Sequence, residues 1–216
     1  EALARLRGPH GVIEAVEFID IAEGLGLMRR IAQRVQDLAL HALPDMPGGI
    51  RLFLNMDGED LLGAEGLQGI VDMAISHGVD PERLVLEMNE TTLLRDVDTT
   101  VLQLRAVRAQ GVAIAIDEFG AGLSSLSQVS RLPVDLLKID RSFVAAARRD
   151  DASRAVLAAV AGIGPALGVD VVLEGVETQA DLDIARQLEV TAVQGWQLGS
   201  PMTPAELTTA LVQGSG

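Results

Sequence analysis

The absence of cysteine from 216 residues excludes disulfides and thiolate metal sites, and a net charge of −14 argues against a surface that grips a nucleic-acid backbone. Aromatic residues make up 2% of the chain against 48% hydrophobic residues, so Leu, Ile, Val and Ala must fill the core of what reads as one domain, residues 1–216. An acidic chain can still handle phosphate if divalent cations screen the charge.

The chain opens on Glu1 to Arg7, too charged for a secretory signal. The first strand candidate is Arg51-Leu-Phe-Leu-Asn55. A helix ending at Gly78, followed by Val79, leads to the second, Arg83-Leu-Val-Leu-Glu87. The same hinge, Gly111-Val112, opens the third, Val112-Ala-Ile-Ala-Ile-Asp117, and Val134-Asp-Leu-Leu-Lys138 is the fourth. Ala155 to Leu173 is the most apolar stretch, but Gly162, Gly164, Pro165, Gly168 and Asp170 interrupt it. It reads as a buried helix and a strand, not a membrane span. After the hinge Gly168-Val169 come the candidates Val171-Val-Leu-Glu174 and Thr191-Ala-Val-Gln194. Thr178-Gln-Ala-Asp181 and Thr203-Pro-Ala-Glu206 are helix starts, each with a capping Thr and an acid three residues on. Near-continuous apolar strands alternating with helices predict an α/β fold with a parallel sheet covered on both faces. A (β/α)8-like, TIM-type barrel is the first expectation and an open doubly wound sheet the second.

Each strand candidate ends in a chemically capable residue: Asn55, Glu87, Asp117 with Glu118, Lys138, Glu174 and Gln194. In a parallel barrel these ends converge on one rim, where active sites are built. Carboxylates crowded there repel one another, and a cation is the natural means of holding them together. Oxygen donors without a Cys or His cluster suit Mg²⁺ or Mn²⁺ and fit Zn²⁺ poorly. His10, His41 and His77 fall away from the strand ends. Lys138 is either a structural counter-ion or the group that orients a nucleophilic water and steadies a phosphoryl transition state. Gly120 and Gly122, without a Walker lysine, read as a sharp loop and not a phosphate cradle.

The blocks Glu1-Ala-Leu-Ala-Arg5, Asn55, Glu87-Met-Asn-Glu90, Asp117-Glu-Phe-Gly-Ala-Gly-Leu-Ser-Ser125, Lys138-Ile-Asp140-Arg-Ser-Phe143, Glu174-Gly-Val-Glu177-Thr178 and Gln194-Gly-Trp196 occur in this order. In this the chain resembles the EAL-domain cyclic di-GMP phosphodiesterases. The resemblance implies a cytoplasmic bacterial domain, standing alone or within a larger protein, that hydrolyses one phosphodiester of cyclic di-GMP to linear pGpG with two Mg²⁺ or Mn²⁺ ions per site. It implies Glu1, Asn55, Glu87 and Asp117 at one metal, and Asp117, Glu118 and Glu174 at the second. Lys138 would position the attacking water and Glu174 act as general base. Leu3, Arg5, Asp140 and Gln194 would border the substrate, and Glu90 and Glu177 would brace loops. A homodimer and an upstream regulatory domain are compatible with it; a nucleic-acid polymer or membrane partner for this segment is not expected.

The chain departs from the family pattern in four places. The family's paired aspartates are here Asp117-Glu118; Ala121 and Leu123 replace Thr and Tyr in the following loop; Trp196 stands where Tyr is usual, and is expected to pack at the rim; and the family has a strand before the signature at which this chain starts, so one barrel stave is expected to be missing. The alternative function is a degenerate EAL domain that binds cyclic di-GMP as a receptor. A barrel glycosidase ranks third, disfavoured by scarce aromatics and by Lys138 and Asn55.

Overall fold

The computed structural model describes residues 1–9, 11–58, 61, 66–121 and 126–213. Six strands among them form one parallel sheet in sequence order: β3 (Leu52–Asn55), β4 (Leu84–Asn89), β5 (Ala113–Phe119), β6 (Leu136–Ile139), β7 (Asp170–Leu173) and β8 (Ala192–Val193). All six lie on the predicted runs, within two residues at either end. The first two strands, β1 (Arg5–Gly8) and β2 (Gly11–Glu14), make a separate antiparallel hairpin that the sequence reading did not anticipate. Helices α1 (Ala15–Gly24) and α2 (Met28–Ala42) follow it.

Between the parallel strands run α3 (Gly66–Ser76), the short α4 (Glu90–Leu93), α5 (Val97–Arg108), α6 (Leu126–Val129), α7 (Arg141–Ala147), α8 (Asp151–Ala161) and α9 (Ile163–Leu167); α10 (Gln179–Gln187) and α11 (Pro204–Gln213) complete the chain order. Helical crossovers of this kind are what parallel strands require. The hinge glycines Gly78, Gly111 and Gly168 all have left-handed backbone, with φ of 73°, 98° and 72°. Both expected capping boxes form: Thr178 and Asp181 bond each other's backbone N–H, and so do Thr203 and Glu206. The interrupted apolar stretch resolves into α8, α9 and β7. Among the described residues no helix is long and apolar enough to cross a membrane.

Strand side chains alternate between two faces, and the two faces differ. One set, with Leu84, Leu86, Met88, Ile114, Ile116 and Leu137, packs into the main core among the helices. The other is a small apolar layer of Val85, Ala115, Leu136 and Val172, flanked by Phe53 and Ala113. Two residues further along the same face stand Asn55, Glu87, Asp117, Lys138 and Glu174. The period of two therefore carries each strand from an apolar floor to a polar end.

The sheet is curled, and β3 and β8 do not hydrogen-bond to each other, so a full eight-stranded barrel is not closed among the described residues. The N-terminal residues lie along the β3 edge, where the Ala2 N–H donates to the Phe53 carbonyl at 3.0 Å. From there the Glu1 carboxylate spans the gap. It accepts from Asn55 Nδ2 at 3.0 Å at the end of β3 and from Gln194 Nε2 at 2.8 Å just past β8.

Candidate active site

The polar strand ends meet around Lys138. This lysine is 1% exposed, and its Nζ lies 2.6 Å from Glu87, 2.8 Å from Glu174 and 3.4 Å from both Glu1 and Asp117. Each carboxylate comes from a different segment. Strand register accounts for the meeting: Asn55 pairs with Glu87, Asn89 with Asp117, and Lys138 with Val172, two residues before Glu174.

Electrostatics follows from four carboxylates sharing one ammonium. Burial alone would lower the Lys138 pKa, but the attraction of Glu87, Glu1, Glu174 and Asp117 outweighs it and raises the group above the usual lysine range. Lys138 therefore holds its proton throughout the physiological range and is a cation, not a base. Burial pushes the Glu87 carboxyl up to about 7 in spite of Lys138, and raises Glu174 for the same reason. Glu1 moves the other way: burial opposes the shift, but Lys138, Gln194 and Asn55 together lower its pKa. Carboxyls whose pKa is raised by burial in spite of a neighbouring ammonium mark a site short of positive charge.

Among the described residues no three carboxylate or imidazole groups converge as a ready-made metal cage; the Lys138 ammonium stands between them. The donor set nevertheless fits a hard divalent cation. It is all oxygen, it is net negative, and the buried Glu87 Oε2 has no hydrogen-bond partner. An orphaned carboxylate oxygen inside a protein is costly unless something else is meant to bind it.

The remaining candidates sit around this ring. Glu118 follows Asp117 at a register shift in β5, and it is the one non-glycine among the described residues with positive φ, 53°. Its side chain is exposed and makes no ion pair with another described residue, while its N–H donates to Asp117 Oδ1 at 3.0 Å. Arg5 is held at 2.7 Å by Glu14, its cross-strand partner, and donates to the Ala4 carbonyl; Leu3 is 45% exposed. Asp140 caps α7 by accepting from the Ser142 N–H at 2.9 Å. Glu90 begins α4 and is buried, and Glu177 accepts from Arg148 at 3.1 Å. His41 ends α2 and His77 follows α3, where it contacts Asp37, both apart from the Lys138 ring; His10 lies outside the described residues. Ala121 is exposed, and Gly122 and Leu123 lie outside the described residues. Trp196 does not pack at the rim as expected: it is 67% exposed, in the turn that opens at Gly195, whose backbone passes too close to Val176 for a Cβ. Sequence reasoning missed Arg148 and Glu14. Arg148 is a helix-end arginine whose partners lie about 30 residues on, and Glu14 sits in the hairpin that was not anticipated.

A curled parallel α/β sheet with polar and acidic residues gathered at its C-terminal strand ends is the arrangement on which barrel-type α/β folds build their sites. A family model of the EAL domain matches residues 1–201, and the chain belongs to that family. It is 36% identical over 217 aligned residues to the bifunctional diguanylate cyclase/cyclic di-GMP phosphodiesterase MucR of Pseudomonas aeruginosa, covering 98% of this chain and 32% of that protein. The chain thus spans about a third of the length of that relative. Among solved structures, the PaMucR phosphodiesterase in complex with c-di-GMP superposes with a TM-score of 0.87 at 33% identity, covering 95% of this chain and 85% of the other. The manganese/cyclic di-GMP complex of BlrP1 from Klebsiella pneumoniae gives a TM-score of 0.74 at 27% identity, covering 88% of this chain and 48% of that one.

Proposed function

We propose that residues 1–216 form one EAL phosphodiesterase domain on a (β/α)8-type barrel that hydrolyses one phosphodiester of cyclic di-GMP to linear pGpG. The observation that carries this reading is the ring of Glu1, Glu87, Asp117 and Glu174 around a buried Lys138, with Asn55 and Gln194 bonded to Glu1. The two similar structures with cyclic di-GMP, one of them with manganese, support the substrate and the metal. Glu1, Asn55, Glu87 and Asp117 would hold one Mg²⁺ or Mn²⁺, and Asp117, Glu118 and Glu174 a second. Bound there, the ions supply Lewis acidity and offset the repulsion between an acidic protein and a dianionic substrate.

The chain's own residues do the rest. Glu174, with its pKa raised by burial, takes a proton from the attacking water as the water oxygen bonds to phosphorus and one P–O bond of the ring breaks, and the departing sugar oxygen takes a proton from solvent water. Lys138 keeps its proton, orients the base through the 2.8 Å contact and steadies charge building on the phosphoryl oxygens. Arg5 would leave Glu14 for a substrate phosphate, Leu3, Asp140 and Gln194 would border the substrate, and Glu90 and Glu177 would brace loops.

The test is chromatography of cyclic di-GMP after incubation with the protein in Mg²⁺ or Mn²⁺. Accumulation of pGpG that stops with excess chelator is the expected result, and full hydrolysis in chelator would overturn the metal assignment. One observation favours the receptor reading instead: Glu118 is exposed and in a left-handed backbone, and its side chain makes no ion pair with another described residue. Retention of bound cyclic di-GMP with no pGpG in either metal would decide for the receptor.

A further inference from the structure

We propose that Arg148 is a positioning residue for Glu174. This rests on the reading of Glu174 as the base. Arg148 follows the last turn of α7, and its guanidinium reaches across to the segment after β7. Nη2 donates to the Gly175 carbonyl, immediately after Glu174, at 3.3 Å. Nη1 and Nη2 both bond Glu177 Oε2 at 3.1 Å. Nε and Nη2 bond the two oxygens of Asp181 at 2.8 Å each, a bidentate fork that only arginine supplies.

Asp181 is fully buried, and it passes the restraint back to the same segment. Its Oδ2 accepts the N–H of Glu177 at 3.0 Å, and the N–H and hydroxyl of Thr178 at 2.8 and 2.9 Å. The other end of α7 lies close against the segment. Gly175 has φ 72°, and a Cβ there would lie 2.5 Å from Cβ of Arg141, the first residue of α7. The segment thus lies against the first residue of α7 and is bonded by the residue just past its last, and that helix starts three residues after Lys138. Together with the Lys138–Glu174 contact, this closes a ring: strand β6, helix α7, Arg148, the Gly175–Glu177 segment, Glu174 and back to Lys138. A carboxylate that is followed by a glycine needs such a frame, because the glycine itself offers no steric restraint on its direction.

The test combines turnover, a double-mutant cycle and hydrogen exchange. Arg148→Ala is expected to lower kcat roughly 10- to 100-fold, the cost of a displacement near 1 Å in a catalytic group, and to leave KM for cyclic di-GMP within about threefold. Arg148→Lys, which keeps the charge but loses the fork, should recover little of it. Added to Glu174→Gln, Arg148→Ala should cost almost nothing more, because it acts through the group already removed. Amide exchange should rise over residues 174–178 in Arg148→Ala and stay unchanged over 84–89. Losses that multiply in the double variant, or a kcat fall no larger than the unfolded fraction measured by melting, would overturn the proposal. If wild type makes no pGpG, the phosphodiesterase reading fails separately, and the exchange measurement still decides whether Arg148 orders the segment: unchanged exchange over 174–178 would overturn it.

Discussion

The ends of β5 and β7 carry acidic residues toward the same site but are supported very differently. After β7, Glu174 is followed by a segment that is bonded on one side by Arg148 and Asp181 and on the other by the β8 loop, where the Val176 N–H donates to the Gln194 carbonyl. Near the end of β5, Glu118 stands in a left-handed backbone without an ion pair to another described residue. A non-glycine residue there costs roughly 1–2 kcal/mol. The lesson is that presence of a carboxylate at a strand end and control of its direction are separate achievements. The first needs only strand register; the second needs surrounding groups that satisfy and lock the backbone.

Removing the braced carboxylate should have the largest effect. Glu174→Gln is expected to lose ~10²-fold or more in turnover while cyclic di-GMP affinity changes much less, measured by pGpG release and by equilibrium binding. Unchanged turnover would take Glu174 out of the reaction and leave its brace without a catalytic purpose.

The brace itself should be visible in stability against pH. Burial alone would raise the Asp181 pKa, but hydrogen bonds from Arg148, from Thr178 and from the Glu177 and Thr178 N–H groups lower it from 3.8 to about 2. A carboxyl depressed on folding contributes stability that is fully present above pH 3.8 and is lost as pH falls toward 2. The displacement corresponds to about 2 kcal/mol. Urea titrations of wild type and Asp181→Asn between pH 2 and 6 should differ by about that amount at the upper end and converge at the lower. A constant difference across the range would mean that the carboxylate's charge is not what holds the segment.

A smaller effect is expected at the unbraced end. Glu118→Asp removes one rotatable bond and places a residue that tolerates left-handed backbone better. Mg²⁺ demands near-octahedral geometry, so the shorter ligand should raise Mg²⁺-supported turnover, by about tenfold if the wild-type carboxylate is misplaced by a fraction of an ångström. Equal rates would show that Glu118 is a neutral replacement, and an inert variant would favour the receptor.

The smallest effect concerns the hairpin. Glu14 holds Arg5 at 2.7 Å with its side chain 57% exposed, and an exposed pair of this kind is worth little. Glu14→Gln should free Arg5 and lower KM by about two- to threefold with kcat unchanged, a gain of about 0.5 kcal/mol. A rise in KM would mean that Glu14 aims Arg5 at the substrate.

What the amino-acid sequence determined by itself was local. Alternating apolar runs placed the six parallel strands, glycine-valine hinges placed three helix ends, and Thr178 and Thr203 placed two helix starts, because each depends on residues within one or two turns. The sequence also showed a chemically capable residue at the end of each strand candidate, and the expectation that such ends converge on one rim needs only a parallel sheet. Distance in space was invisible. Lys138 stood in the list of strand ends, but that its ammonium is buried among four carboxylates depends on how far the sheet curls. The β1–β2 hairpin escaped because its strands are four residues long and mostly exposed, leaving no apolar alternation to read. Trp196 reads as packing material by residue type, yet the turn at Gly195 leaves it exposed. Arg148 and Asp181 lie 33 residues apart, and no local pattern links a helix-end arginine to a capping aspartate. Only the packing of α7 beside the β7 loop brings them together, because side-chain pairing across elements is set by where the backbone runs and not by spacing along it.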